Sequence, residues 1–254
     1  MGQTSSKECQ KHMAHSTIEW TERTWNPTTG CTKVSQGCKF CYAEAFTRRL
    51  QAMGVEKYAD GFAVRKHPEV LHEPKSWRKS SVVFVNSMSD LLHEEIDEDY
   101  IHQVVQIMNE CPQHTFQVLT KRPWRLIELP KSWTWNNNIW LGTSVESEDV
   151  QRRIDELRDA PTATRFMSLE PLLGLLPTLN LEGIQWVIVG GESGRKARPM
   201  KPEWVDEIQI QCKEAGVPFF FKQWGGTNKK AAGRLLHGRT YDEMPRLARD
   251  VAYS

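Results

Sequence analysis

Six short apolar, β-rich runs recur along the chain, at Ser81–Asn86, Thr115–Thr120, Ile139–Ser144, Thr164–Leu169, Trp186–Gly190 and Pro218–Lys222. Stretches of helical pattern separate several of them. Parallel strands need a crossover long enough to hold a helix, so this alternation predicts a parallel sheet covered by helices. Asp97–Glu110, Ser147–Asp159 and Lys201–Ala215 are the predicted helices; in the first, Ile101, Val104, Val105 and Met108 fall on one face. A first strand near Ile18–Trp25 brings the total to about seven, and Thr120–Pro123 and Asn180–Gly183 carry the breaker residues expected of connections. The length of 254 residues suits a barrel of strand–helix units, for which about 250 is usual. The expected fold is therefore α/β, a single complete or partial TIM-type barrel of six or seven parallel strands. No repeat, low-complexity tract or linker divides the chain. Residues 16–254 read as one domain with a basic C-terminal extension, and residues 1–15 as a disordered tail or cloning remnant.

A formal net charge of +1 creates no global field toward nucleic acid or membrane. No run of 18 apolar residues exists to span a bilayer. A P-loop is excluded because no G-x4-G-K-[ST] occurs. Of the six cysteines, Cys9, Cys111 and Cys212 stand alone, while Cys31, Cys38 and Cys41 form a C-x6-C-x2-C run. A secretory signal is not apparent, so a reducing, cytoplasmic compartment is expected. Three readings of the run compete. It offers a disulfide with a spare thiol, three ligands of a structural zinc site whose fourth ligand is distant, or three thiolates of an iron–sulfur cluster with one open iron. Zinc sites of the structural kind commonly pair two knuckles, and no second C-x-x-C is present.

On these residues the chain resembles the radical S-adenosylmethionine (SAM) enzymes, in which three cysteines hold a [4Fe-4S] cluster and SAM chelates the fourth iron. Phe40, the aromatic before the last cysteine, fits that pattern, and Tyr42 follows the cysteine itself. The usual spacing there is C-x3-C-x2-C; here the first gap is six residues. From about Glu19 to Pro245 the chain is similar to a phage- and prophage-associated family of radical-SAM-like proteins.

Reactive groups of parallel α/β folds gather at the C-terminal ends of the strands. Polar residues stand at those ends: Asn86–Asp90, Thr120–Arg122, Thr143–Glu146, Ser168, Glu170, Gly190–Ser193 and Lys222–Trp224. Each alone reads equally as a helix cap or turn, as Asp90 and Ser147 illustrate. The order of these ends is similar to spore photoproduct lyase, and that resemblance implies SAM contacts at Ser87 or Ser89, at Lys121 and at Ser144. Glu170 and the segment Gly190, Gly191 and Glu192 complete the candidate cofactor-binding set. Gly-Gly-Glu segments of radical SAM enzymes follow the second strand, whereas this one follows the sixth run, and a plain turn is an equal reading. A hydrogen-donating cysteine precedes the serine after the second strand in spore photoproduct lyase; Asn86 and Met88 occupy those places here, which argues against the same lesion reversal.

The implied activity is reductive cleavage of SAM, with a flavodoxin or ferredoxin as reductant and hydrogen abstraction from a substrate. A nucleic acid or nucleotide-like substrate is suggested by Lys222, Lys229, Lys230, Arg234 and Arg239 near Phe219–Phe221 and Trp224, and by Arg195, Lys196, Arg198 and Lys201. Phe219–Phe221 also read as a buried strand. The rival of a different class is a zinc-stabilised nucleic-acid-binding module without catalysis.

Overall fold

The computed structural model describes residues 16, 18–247 and 250. Seven strands form one sheet: β1 Arg23–Trp25, β2 Val82–Val85, β3 Thr115–Thr120, β4 Ile139–Ser144, β5 Thr164–Leu169, β6 Trp186–Gly190 and β7 Phe219–Gln223. They lie side by side in chain order, and every neighbouring pair is parallel. The sheet curls into a half-barrel. The expected α/β partial barrel is thus the observed one. The expectation for residues 1–15 falls outside the described residues.

Among the described residues six α-helices accompany the strands: α1 Tyr42–Ala52, α2 Glu98–Asn109, α3 Arg125–Glu128, α4 Arg153–Arg158, α5 Pro202–Ala215 and α6 Lys229–Ala232. The acidic N-cap of α2 is literal, since the Asp97 side chain accepts from the Tyr100 amide. A left-handed Gly216 ends α5. Two expectations are corrected. The first strand begins at Arg23 rather than Ile18, because Trp20 is drawn into the aromatic packing below. The helix expected over Ser147–Asp159 is only Arg153–Arg158, preceded by a 3-10 turn at Glu148–Val150.

Strand alternation sends the side chains to two faces. Val83, Val85, Phe116, Val118, Leu141, Met167, Leu169, Val187, Val189, Phe219 and Phe221 share one cluster with Ile101, Val104, Val105, Met108, Val205 and Ile208 of α2 and α5; this is the outer face, sealed by helices. The inner face collects Phe84, Trp140, Phe166, Trp186, Ile188 and Phe220 with Trp20. Trp186 is the hub, with ring centroids 5.6–6.2 Å from Trp20, Trp140, Phe166 and Phe220. A half-barrel leaves more room inside than aliphatic side chains fill, and aromatic rings close it. Gly142 makes way for one of them: a Cβ there would lie 2.4 Å from the Phe166 ring.

Candidate functional site

Register places the polar residues directly above this aromatic floor. Thr120 is opposite Thr143, and Ser144 is opposite Ser168. Lys121, Ser144 and Ser168 therefore form a row across β3, β4 and β5 on the inner face, at the C-terminal mouth. Ser144 and Ser168 are buried, and the Lys121 side chain is 21% exposed. One step further out, Lys222 Nζ pairs with Glu170 Oε2 at 2.5 Å. Ser168 Oγ donates to the other oxygen of Glu170 at 3.4 Å. Gly190 adjoins the same carboxylate, which would sit 3.1 Å from a Cβ at that position.

The cysteine loop crosses this mouth. It leaves β1 through Thr28–Thr29, which pairs antiparallel with Arg65–Lys66. Gly30 follows with φ +81°, and a Cβ on it would lie 2.0 Å from the Ala63 carbonyl oxygen, so only glycine fits. Cys31, Cys38 and Cys41 are all half-buried and free, as are the fully buried Cys111 and Cys212; no disulfide joins these five. Helix α1 starts immediately after Cys41. Burial pushes the Cys31 thiol up to about 12, with the Asp90 charge adding to the rise and the Arg122 guanidinium opposing it. Burial likewise raises Cys41, and the charge of Cys38 raises both of its neighbours. Among the described residues no three His, Cys, Asp or Glu side chains stand together as a ready metal site. The thiols are thus brought to one loop without forming a closed ligand set. In donor chemistry they fit a thiolate-ligated group, and Arg122, 1% exposed beside Cys31, supplies a buried counter-charge.

Three ionic hubs hold the loop. Arg122, at the end of β3, donates to Cys31 Sγ at 3.5 Å, to Thr32 Oγ1 at 2.8 Å, to Asp90 at 3.2 Å and to both Glu94 oxygens at 2.8–2.9 Å. Glu146, beyond β4 and fully buried, accepts from Ser35 Oγ, from the Gly37 amide at 3.1 Å, from Arg153 at 3.0 Å and from Lys121 Nζ at 3.4 Å. Its burial works against ionisation, but Lys121, Ser35, Arg153 and the Gly37 amide outweigh that and hold its carboxyl below the ordinary range. Arg198, in the loop after β6, binds both oxygens of Glu192 at 2.6–2.8 Å and reaches the Gln36 carbonyl at 3.0 Å.

Several sequence candidates are engaged in internal bonds. Ser89 Oγ donates to the Thr28 carbonyl at 2.9 Å, and Ser87 Oγ to Asn26 at 3.2 Å. The Tyr42 hydroxyl donates to the Ser87 carbonyl. Glu192 is buried under Arg198. Gly191 serves chain packing, for a Cβ there would be 2.0 Å from the Trp224 carbonyl oxygen. Phe40 packs against two cations, Lys39 at 5.5 Å and Arg198 at 5.4 Å from its centroid. Phe219–Phe221 are buried strand residues, and Arg234 is bound to Asp242 and to backbone carbonyls, so the basic C-terminal segment is only partly free. Arg122, Glu146 and Arg198 belonged to polar strand ends or basic clusters in the sequence, but nothing local marked them as loop anchors.

A family described as "Protein of unknown function (DUF5131)" matches residues 15–245. The chain belongs to this family. No curated protein matches the DUF5131 chain. Solved structures of spore photoproduct lyase share its fold. One with bound AdoMet and dinucleoside spore photoproduct superposes at TM-score 0.50 with 9% identity, over 82% of this chain and 65% of that one. Another, complexed with dinucleoside spore photoproduct, has TM-score 0.49 and 11% identity over 73% of this chain and 60% of that one. The DUF5131 chain spans less than two thirds of the lyase. At such identity the likeness concerns the fold alone.

Proposed function

We propose that the protein is a radical SAM enzyme whose Cys31, Cys38 and Cys41 hold a [4Fe-4S] cluster. The observation that carries this reading is a loop with three half-buried thiols held, through Glu146, over a row of polar inner-face residues at the C-terminal mouth of a parallel half-barrel. A structural zinc staple makes no use of Lys121, Ser144, Ser168, Glu170 or Lys222, whereas a bound zwitterion does. A cluster held by Cys31, Cys38 and Cys41 would supply the electron for reductive cleavage of SAM. The protein's part is binding and shielding. Lys121 offers the cation for the SAM carboxylate, and Ser144 and Ser168 offer hydroxyl donors beside it. Glu170 presents an acceptor for an amino or ribose group, with Lys222 fixing its orientation. Phe40 and Tyr42 flank the thiols with aromatic surface. The dry floor around Trp186 excludes water from below.

The substrate of this reading is a nucleic acid or nucleotide-like molecule, supported by the exposed Lys39, Arg195, Lys196 and Lys201 on the rim. A small flavodoxin or ferredoxin is the fitting electron donor. Anaerobic reconstitution followed by iron and sulfide analysis tests the cofactor: about four irons per chain are expected, lost in Cys38→Ala. Stoichiometric zinc without iron would reject it. Lys121→Ala is predicted to keep the cluster and weaken SAM binding about tenfold or more, as loss of a charged hydrogen bond does; equilibrium dialysis with SAM measures it, and unchanged affinity would remove Lys121 from the site.

A further inference from the structure

The gap between Cys31 and Cys38 holds six residues, and four of them are gripped from outside the loop. Thr32 is held by Arg122 at 2.8 Å and by His93 Nε2 at 2.8 Å. Ser35 and Gly37 both donate to Glu146 Oε1. The Gln36 carbonyl receives Arg198 Nη2 at 3.0 Å. These grips come from the segments that follow β2, β3, β4 and β6. Inside the loop the backbone supplies little, chiefly a single 3-10 turn with Cys38 N donating to the Ser35 carbonyl at 3.0 Å.

Gly37 records how close the contact is. A Cβ on it would lie 2.7 Å from both Cδ and Oε1 of Glu146. A free glutamate would swing aside, but this one is fully buried and fixed by Arg153, Lys121 and Ser35. Glycine at 37 is therefore required by the anchor rather than by the turn.

We infer that Arg122, Glu146 and Arg198 are positioning residues that preset the cysteine loop in the metal-free chain, so that a six-residue gap presents its thiols without the metal shaping it. The inference rests only on the metal-site part of the proposed function and holds whichever thiophilic metal is bound. The backbone between Cys31 and Cys38 is set before an ion arrives.

Hydrogen exchange of the metal-free full chain, read by mass spectrometry over residues 31–41, tests this together with cobalt(II) titration followed by thiolate-to-cobalt absorption. In the native chain the hydrogen-bonded amides of Gly37, Cys38 and Lys39 exchange slowly. Gly37→Ala and Arg198→Ala speed their exchange about tenfold, in line with the loss of one anchoring contact, change the exchange of the core amides of β3–β6 far less, and weaken cobalt binding by a similar factor. Gly174→Ala, where an added Cβ meets nothing within 4 Å, behaves as the native chain. A native metal-free loop that exchanges like an unstructured peptide overturns the inference, as do both variants exchanging and binding cobalt like the native chain. Failure of SAM cleavage with these results intact would defeat the enzyme reading and leave this one standing.

Discussion

Glu146 shows how much one side chain decides. It is a fully buried carboxylate that faces Lys121 and Arg153 and accepts from two groups of the cysteine loop. Glu146→Gln keeps the shape but strands two cations, one of them 2% exposed, and is predicted to cost roughly 3 kcal/mol in urea unfolding. Its folded pKa lies below the ordinary 4.5, so its stabilisation is complete above that pH and is lost as pH falls through the folded value. Histidines act earlier. His114 is fully buried, receives the Ser81 amide on Nδ1 at 3.2 Å and faces the Pro74 carbonyl with Nε2 at 3.2 Å, so it is held neutral. Burial lowers the pKa of His114, and burial with the Lys57 charge lowers that of His67, each from 6.5. The unfolded chain therefore takes up protons first, and stability measured by urea midpoint should begin to decline as pH falls below about 6.5. Flat stability from pH 7.5 to 5 would contradict this. The sequence marked Glu146 as polar and strand-terminal; that it is buried follows from a loop more than 100 residues away folding over it.

At the scale of elements, the inner face depends on small residues as much as on large ones. Gly142→Ala would thrust a methyl to 2.4 Å from a fully buried Phe166 ring. Overpacking of this kind is predicted to cost about 1–3 kcal/mol in thermal or urea unfolding; an unchanged midpoint would mean that the aromatic floor yields more easily than its packing implies. The strands were legible because their apolar, β-branched and aromatic runs are short and bounded by turn residues, and β3, β4, β5 and β6 begin and end where the runs do. Helix α1 was not legible. It buries only Ala43 and Thr47 and leaves Tyr42 and Phe46 exposed, so no apolar stripe marked it. The Ser147–Asp159 stretch kept its pattern but not its length, since the chain makes a 3-10 turn before Arg153 opens α4. Within the site, the alignment of Lys121 with Ser144 and Ser168 was foreseeable from strand ends, whereas the internal bonds of Ser89 and Glu192 depend on neighbours that only the fold supplies.

For the whole molecule, parallel strands in chain order bring every C-terminal end to one mouth, and the cysteine loop is laid across it by anchors from β3, β4 and β6. Aromatic rings close the space beneath, and α2 and α5 close the outside. Among the described residues no helix is long and apolar enough to cross a membrane. The arrangement leaves one region in which thiols, a half-buried lysine, hydroxyls and a Lys–Glu pair meet, and the proposed chemistry is the one that uses all of them. Its most direct test is chromatographic assay of 5′-deoxyadenosine after the anaerobically reconstituted protein is mixed with dithionite and SAM. Formation of 5′-deoxyadenosine by the native chain, abolished in Cys38→Ala, is the predicted result; none from a protein that carries its full iron and sulfide would contradict the account.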